Sequence, residues 1–422
     1  MKEATRRALA VFPAGSNGEY GFPAGEAIVP SRGKGCWVWD ESGQAYVDMS
    51  MAWGSAFVGH AHPKLVEAMR DAASGGFNFA SVNAHSLQLA ERLIEISPCM
   101  ESVRLVTSGT EATMMCLRVA RGATGRRRLL RFEGAYHGQH PVGIAGMMKV
   151  SETGYPQIHP HGAAAPWVED DVLVAPFNDL EATTTILEAH SSDLAAVIVE
   201  PVHRCIAPKP GFLEGLRAVT ERLGIVLIFD EVVTGFRFAL GGAQEYFGVQ
   251  PDLVAYGKAL GGGIPIGAYG GKASLMDVVS EWATDAPNYV WSASTTGGGP
   301  VTSAVALATL DVLSEDGVYD RAHRMGRELR RRMRVALERH GLVGQILGDG
   351  PIAQVAFSDR PVVDNESYMA TDRAKGRALM LGLSREGVFL NPMGTKLYLS
   401  LQHNDAALET FERALDAALA SL

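Results

Sequence analysis

The 422-residue chain contains no apolar run approaching the roughly 18–20 residues that a membrane span requires. The N-terminal stretch "MKEATRRALAVFPAG" carries basic residues, but its apolar run is too short for a secretory signal. Cysteine is scarce. Cys36, Cys99, Cys116 and Cys205 are scattered without CxxC spacing, so neither structural disulfides nor a thiolate zinc site is expected, and a reducing cytoplasm is the default location. An excess of basic charge is also missing. With 38 Lys and Arg against 47 Asp and Glu the net charge is −9, which argues against nucleic acid or an anionic membrane as the main partner. The basic runs "GRRRLLR" (125–131) and "ELRRRMRVALERH" (328–340) are local, and the second reads as a solvated helix face. Internal repeats, low-complexity tracts and flexible linkers are absent too.

What is present is a sequence of short β-branched runs alternating with helical patterns. "VRLVTSG" (103–109) reads as strand then turn, and "TEATMMCLRVARG" (110–122) as a helix, with Ala112, Met115, Cys116 and Val119 on one face. Ser108 and Glu111 make a capping box at its start, and Gly122 suits its C-terminus. "DLAAVIVEPV" (193–202) and "IVLIFDEVVTG" (225–235) read as buried strands flanking the helical "GFLEGLRAVTERLG" (211–224). Strands buried on both faces and separated by helices imply an α/β chain with a largely parallel central sheet. Residues 1–60 read as an N-terminal segment with a small antiparallel sheet, including a hairpin around Ser42 and Gly43. Residues 61–309 read as a large domain, and 310–422 as a smaller α+β domain.

Ligands of such sheets gather at the carboxyl ends of the strands, where Ser108, Glu200, Asp230 and Lys258 fall. Lys258 lies in "AYGKALGGG". A phosphate-binding P-loop is excluded, because its first glycine would be Asp252 and its final Ser or Thr would be Ala259. Two readings remain, a surface lysine in a turn and a Schiff-base lysine in apolar surroundings that favour the neutral amine. Asp230 ends the buried run "IVLIFD". It reads either as a capped or ion-paired carboxylate or as the partner that keeps a pyridinium nitrogen protonated. Ser108, Gly109 and Thr110 at a helix N-terminus would suit a phosphate. The histidine pairs His60/His62 and His159/His161 read as loop residues rather than metal ligands. The Gly-, His- and Pro-rich segment 138–171 reads as a long loop of the kind that forms lids.

The segments "GHAHPKLVEAM", "TSGTEATMMCLRVARG", "RFEGAYHG", "VIVEPV", "PGFLEGLR", "LIFDEVVTGFR", "PDLVAYGKALGGGIPIGAYGG" and "YLSLQHND" run in one order across most of the chain. Together they resemble the class III pyridoxal-phosphate aminotransferases of fold type I, most closely the branch containing glutamate-1-semialdehyde aminomutase. The resemblance implies a large domain with a mainly parallel sheet and a smaller α+β domain built from both chain ends. It implies that Lys258 attaches the cofactor covalently and shuttles a proton, and that Asp230 pairs with the pyridine nitrogen. Tyr136, with His137 beside it, would cover one ring face and Val232 the other. Ser108, Gly109 and Thr110 would hold the phosphate and Glu200 would support the network. The family's phosphate-binding threonine from the neighbouring subunit aligns with Thr295, with Thr296 as a substitute because Ser294 and Gly299 depart from the family pattern. A homodimer with its active site at the subunit interface is then expected.

The departures lie on the substrate side. The stretch "PAGSNGEYGF" (13–22) lacks the arginine with which glutamate-1-semialdehyde aminomutase holds its substrate carboxylate, and Glu19 adds a negative charge. Thr395 stands roughly where that branch has an acidic residue, and His203, Arg204 and Cys205 replace small residues after "VEPV". A changed substrate is expected, with Tyr20, Trp53 and Arg204 as candidate substrate residues. The expected activity is amino transfer between an amine or amino acid and a keto or aldehyde acceptor, with an aminomutase or racemase as the alternative.

Overall fold

The computed structural model describes residues 2–18, 21–23, 25–147, 155–156 and 171–422. The chain divides into two compact units. One comprises Met1–Pro63, Asp316–Val362 and Ser367–Leu422, and the other Lys64–Glu315 with Val363–Glu366.

In the first unit, strands β1 (Pro30–Lys34), β2 (Trp37–Asp40) and β3 (Ala45–Asp48) form an antiparallel meander. The hairpin between β2 and β3 turns at Gly43, whose φ of 84° suits glycine. Asp40 closes it by accepting hydrogen bonds from the backbone N–H groups of Ser42 (2.9 Å) and Gln44 (3.1 Å).

The second unit holds β4 (Ser102–Val106), β5 (Arg128–Phe132), β6 (Val172–Ala175), β7 (Leu194–Val199), β8 (Val226–Asp230), β9 (Leu253–Tyr256) and β10 (Gly267–Gly271). Among the described residues these make one seven-stranded sheet in the order β4-β10-β9-β8-β7-β5-β6. It is parallel except for β10, which runs antiparallel to both neighbours. β7 and β8 are buried throughout, as strands covered on both faces must be. Glycine admits β10: a Cβ on Gly270 would come within 2.2 Å of the Ser102 carbonyl oxygen, and one on Gly271 within 2.1 Å of that of Asp252.

The helix after β4 runs Gly109–Thr124 and ends at Gly125, in the left-handed region, rather than at the expected Gly122. Gly122 has a packing role instead, since a Cβ there would lie 2.5 Å from Val290. The capping box forms in altered shape. Ser108 Oγ accepts from the Glu111 N–H, but the Glu111 carboxylate reaches the Thr107 N–H, one residue further back.

The first unit also contains β11 (Gln345–Leu347), β12 (Ile352–Ala356), β13 (Val388–Phe389) and β14 (Lys396–Tyr398). β13 adds to β3 in parallel, while β11, β12 and β14 form an antiparallel sheet. Leu329, Met333, Leu383, Leu397, Leu408 and Phe411 belong to one core that joins the helices Val318–Arg339, Arg373–Arg385 and Asp405–Leu419 to these strands. The basic run on the first of these helices is not uniformly solvated. Arg330 is buried, donating to the carbonyls of Gly350 and Ile352 at 2.7 Å each, while Arg331 and Arg332 pair with Glu328 on their own helix. All four cysteines are buried free thiols. Among the described residues no helix is long and apolar enough to cross a membrane.

Candidate active site

β4, β5, β7, β8 and β9 are mutually parallel, so their carboxyl ends share one edge of the sheet. Ser108, Tyr136, Glu200, Asp230 and Lys258 each follow or end one of these strands. Asp230 and Glu231 are consecutive, so they project to opposite sides. Glu231 is fully buried against the helix Gly242–Phe247, where its carboxylate accepts from the N–H groups of Ala243 and Gln244; burial pushes its pKa up to about 7. Asp230 is 5% exposed. Its Oδ2 accepts from His137 Nδ1 at 2.7 Å and its Oδ1 from the Val232 N–H at 3.1 Å. The structure therefore sets His137 behind the carboxylate, as its hydrogen-bond donor.

The glycines draw the remaining residues together. A Cβ on Gly109 would lie 2.7 Å from Val232, one on Gly257 3.3 Å from the Gly109 Cα, and one on Gly138 2.9 Å from the Thr110 Cα. These approaches hold Val232, the residue before Lys258 and the loop after Tyr136 against the helix N-terminus at Gly109–Thr110. Lys258 begins a short 3-10 turn with φ of 42°, an uncommon conformation for a non-glycine residue. Burial raises the Tyr136 hydroxyl pKa, and a side-chain hydrogen bond from Thr110 partly offsets this. Glu200 bridges two backbone groups, accepting from the Tyr136 N–H and the Arg204 N–H at 2.9 Å each.

Thr295 is exposed and its carbonyl accepts from Asn78 Nδ2 at 2.8 Å. Thr296 is exposed beside it. Trp53 belongs to the first unit, where it lines a small cavity with Ser50, Asn391, Lys396 and Tyr398. It ends three consecutive left-handed residues, Met51, Ala52 and Trp53, with φ of 45°, 52° and 57°. Such conformations cost roughly 1–2 kcal/mol per residue and tend to collect at functional sites. His60 bonds Asp48 at 2.7 Å. Tyr20, Glu19, His159 and His161 lie outside the described residues, as does most of the expected lid. Sequence reading missed Arg131, whose signal was a charge between Leu130 and Phe132 in the strand "RLLRF". It is fully buried, and its guanidinium donates to the carbonyls of Ala135 and of Val142, the latter at 2.8 Å.

One buried and one partly buried histidine make acid stability testable. Burial pushes His140, in this loop, and His403, in the first unit, down to about 4. Both folded values lie below the unfolded value near 6.5, so the unfolded chain binds the extra protons. Their stabilisation is complete above pH 6.5 and is lost as pH falls toward 4, amounting to about 2 kcal/mol each by pH 5. Melting temperatures measured between pH 7 and 5 should fall, and the slope should lessen in His403→Asn. A flat profile would contradict this assignment.

The set fits one cofactor class. A buried carboxylate that accepts one hydrogen bond at each oxygen keeps lone pairs for a further N–H. A lysine, an aromatic residue and a helix N-terminus freed of side chains at Gly109 and Gly257 complete a place for a phosphorylated pyridine aldehyde. The fold is that of fold type I pyridoxal-phosphate enzymes, and the cofactor is pyridoxal 5'-phosphate. The chain belongs to the class III aminotransferase family, whose model, "Aminotransferase class-III", matches residues 22–416. It is 38% identical over 400 residues to glutamate-1-semialdehyde 2,1-aminomutase 2 of Brevibacillus brevis, covering 93% of this chain and 90% of that one. It superposes on an omega-transaminase from Sphaerobacter thermophilus with TM-score 0.92 and 34% identity, covering 99% of this chain and 96% of that one. A beta-phenylalanine aminotransferase from Variovorax paradoxus superposes with TM-score 0.86 at 28% identity, covering 99% and 93%.

Proposed function

We propose that the protein is an aminotransferase, moving an amino group from a small amine or amino acid to a keto or aldehyde acceptor. The observation that carries this reading is the substrate side of the sequence. Residues 13–22 offer no arginine for a glutamate-1-semialdehyde carboxylate, while Lys258, Asp230 and the Ser108–Thr110 turn are present. The structural likeness to transaminases supports it. The 38% identity to an aminomutase favours the second reading, an isomerase on the same scaffold. Incubation with one substrate and no amino acceptor separates them. An aminotransferase stops after one turnover per site and resumes when an acceptor is added; sustained turnover without an acceptor would establish the isomerase.

When bound, pyridoxal phosphate supplies a carbon that an amine can attack and a ring that accepts electrons. In this reading Lys258 would anchor the cofactor, and its Nζ would serve as the proton carrier of the site. The hydrogen bond from His137 Nδ1–H orients the Asp230 carboxylate, which would pair with the pyridine nitrogen. Ser108, Gly109 and Thr110 present hydroxyl and N–H groups to the phosphate. Tyr136 and Val232 would flank the cofactor ring and exclude water from it.

The working unit in this reading is a dimer to which each partner lends Thr295. The segment carrying Phe77 and Val82, 74% and 77% exposed, is pinned to the Thr295 loop by the Asn78 bond and by Asn83 Nδ2 donating to the Gly298 carbonyl at 2.8 Å. Exposed apolar side chains grouped in this way suit a subunit contact. Sedimentation should give about twice the 45.1 kDa chain mass. Phe77→Asp should dissociate the dimer and weaken cofactor binding together. A monomeric wild type that retains tight cofactor binding would refute the shared site.

A further inference from the structure

We propose that Arg204 is a positioning residue for Tyr136, fixing the turn from which that ring projects. The proposal rests on the reading that Tyr136 covers the cofactor ring. The turn Gly134–Tyr136 is held by charged side chains at three successive backbone groups. Arg204 Nε donates to the Gly134 carbonyl at 3.1 Å. Arg131 donates to the Ala135 carbonyl. Glu200 Oε1 accepts from the Tyr136 N–H at 2.9 Å. The Ala135 carbonyl and the Tyr136 N–H belong to one peptide plane, so opposite charges grip that plane at its two ends. Hydrogen bonds of this charge-assisted kind are roughly twice as strong as neutral ones.

Arg204 closes the arrangement on itself. Its own N–H donates to Glu200 Oε2 at 2.9 Å, so one carboxylate joins the backbone of the arginine to the backbone of the tyrosine. Its guanidinium carbon lies 5.8 Å from the centroid of the Tyr136 ring, within reach of a cation–π attraction. The residue adopts φ of 60° to do this, a left-handed conformation that an ordinary surface arginine has no reason to hold. With Nε committed to Gly134, the side chain is oriented toward the turn. The arginine that stood among the candidate substrate residues thus sets the tilt of the ring-covering tyrosine.

A double-mutant cycle on cofactor affinity tests this. The dissociation constant for pyridoxal phosphate is measured by equilibrium dialysis of the full chain as wild type, Arg204→Ala, Tyr136→Ala and the double variant. Arg204→Ala should weaken binding about tenfold when Tyr136 is present and by less than about twofold when it is absent. The circular dichroism of the bound cofactor should change in Arg204→Ala as it does in Tyr136→Ala. Equal weakening in both backgrounds overturns the role of Arg204 while leaving that of Tyr136 intact. Unchanged affinity in Tyr136→Ala overturns both. Unchanged cofactor affinity in Arg204→Ala, with lost preference for dicarboxylic over monocarboxylic amino donors, also overturns the proposal and makes Arg204 a substrate contact. Should Arg204→Ala not fold, Arg204→Gln carries the same cycle with the same outcomes.

Discussion

Lys258→Ala is expected to bind pyridoxal phosphate without covalent attachment and to lower turnover by roughly 10⁴-fold or more, since the loss removes both a nucleophile and a proton carrier. Borohydride treatment followed by mass spectrometry of the peptide containing Lys258 should find cofactor mass in the wild type and none in the variant. The assignment rests on placement. The lysine follows β9 at the edge from which Asp230 and Ser108 also emerge, and Gly257, the residue before it, packs against Gly109. Cofactor mass on a different lysine, or unchanged turnover in the variant, would remove Lys258 from the mechanism. The fold itself should tolerate the change, because Lys258 is only partly buried and heads a short turn.

Asp230→Asn is expected to lower kcat by about 10²–10³-fold, the scale on which a preorganised charge at a reacting group acts. The carboxamide keeps an oxygen for His137 Nδ1 but has no charge with which to hold a ring-nitrogen proton. Asp230→Ala should add a folding defect of about 3–5 kcal/mol, because it removes one member of a buried, hydrogen-bonded pair. His137→Asn should act in the same direction as Asp230→Asn but more weakly. A kcat for Asp230→Asn within threefold of wild type would show that the carboxylate serves the fold alone.

Asp230 and Lys258 stood out in the sequence because each breaks a local rule, a carboxylate ending a buried strand and a lysine among glycines. The alternation of apolar strands with helices gave the parallel sheet for an equally local reason, the burial of both strand faces. The antiparallel strand β10 was not legible. Its glycines carry no apolar pattern, and they let the backbones of β4 and β9 approach within a Cβ's distance. Gly122 was misread as the helix end, since the atom that excludes a side chain there belongs to Val290, 168 positions along the chain. His137 was named beside the cofactor from its neighbour Tyr136, but its bond to Asp230 spans 93 residues and no local pattern announces it.

The sequence by itself determined the class of the fold and offered candidates for the cofactor side, because periodicity, caps and strand ends are local properties. Only the tertiary structure decided which groups meet. It set His137 behind Asp230, made Glu200 a bridge between Tyr136 and Arg204, and buried Arg131 among carbonyls. The physical reason is that a charge removed from water must find its partners wherever the fold brings them, and sheet topology, not sequence distance, determines where that is.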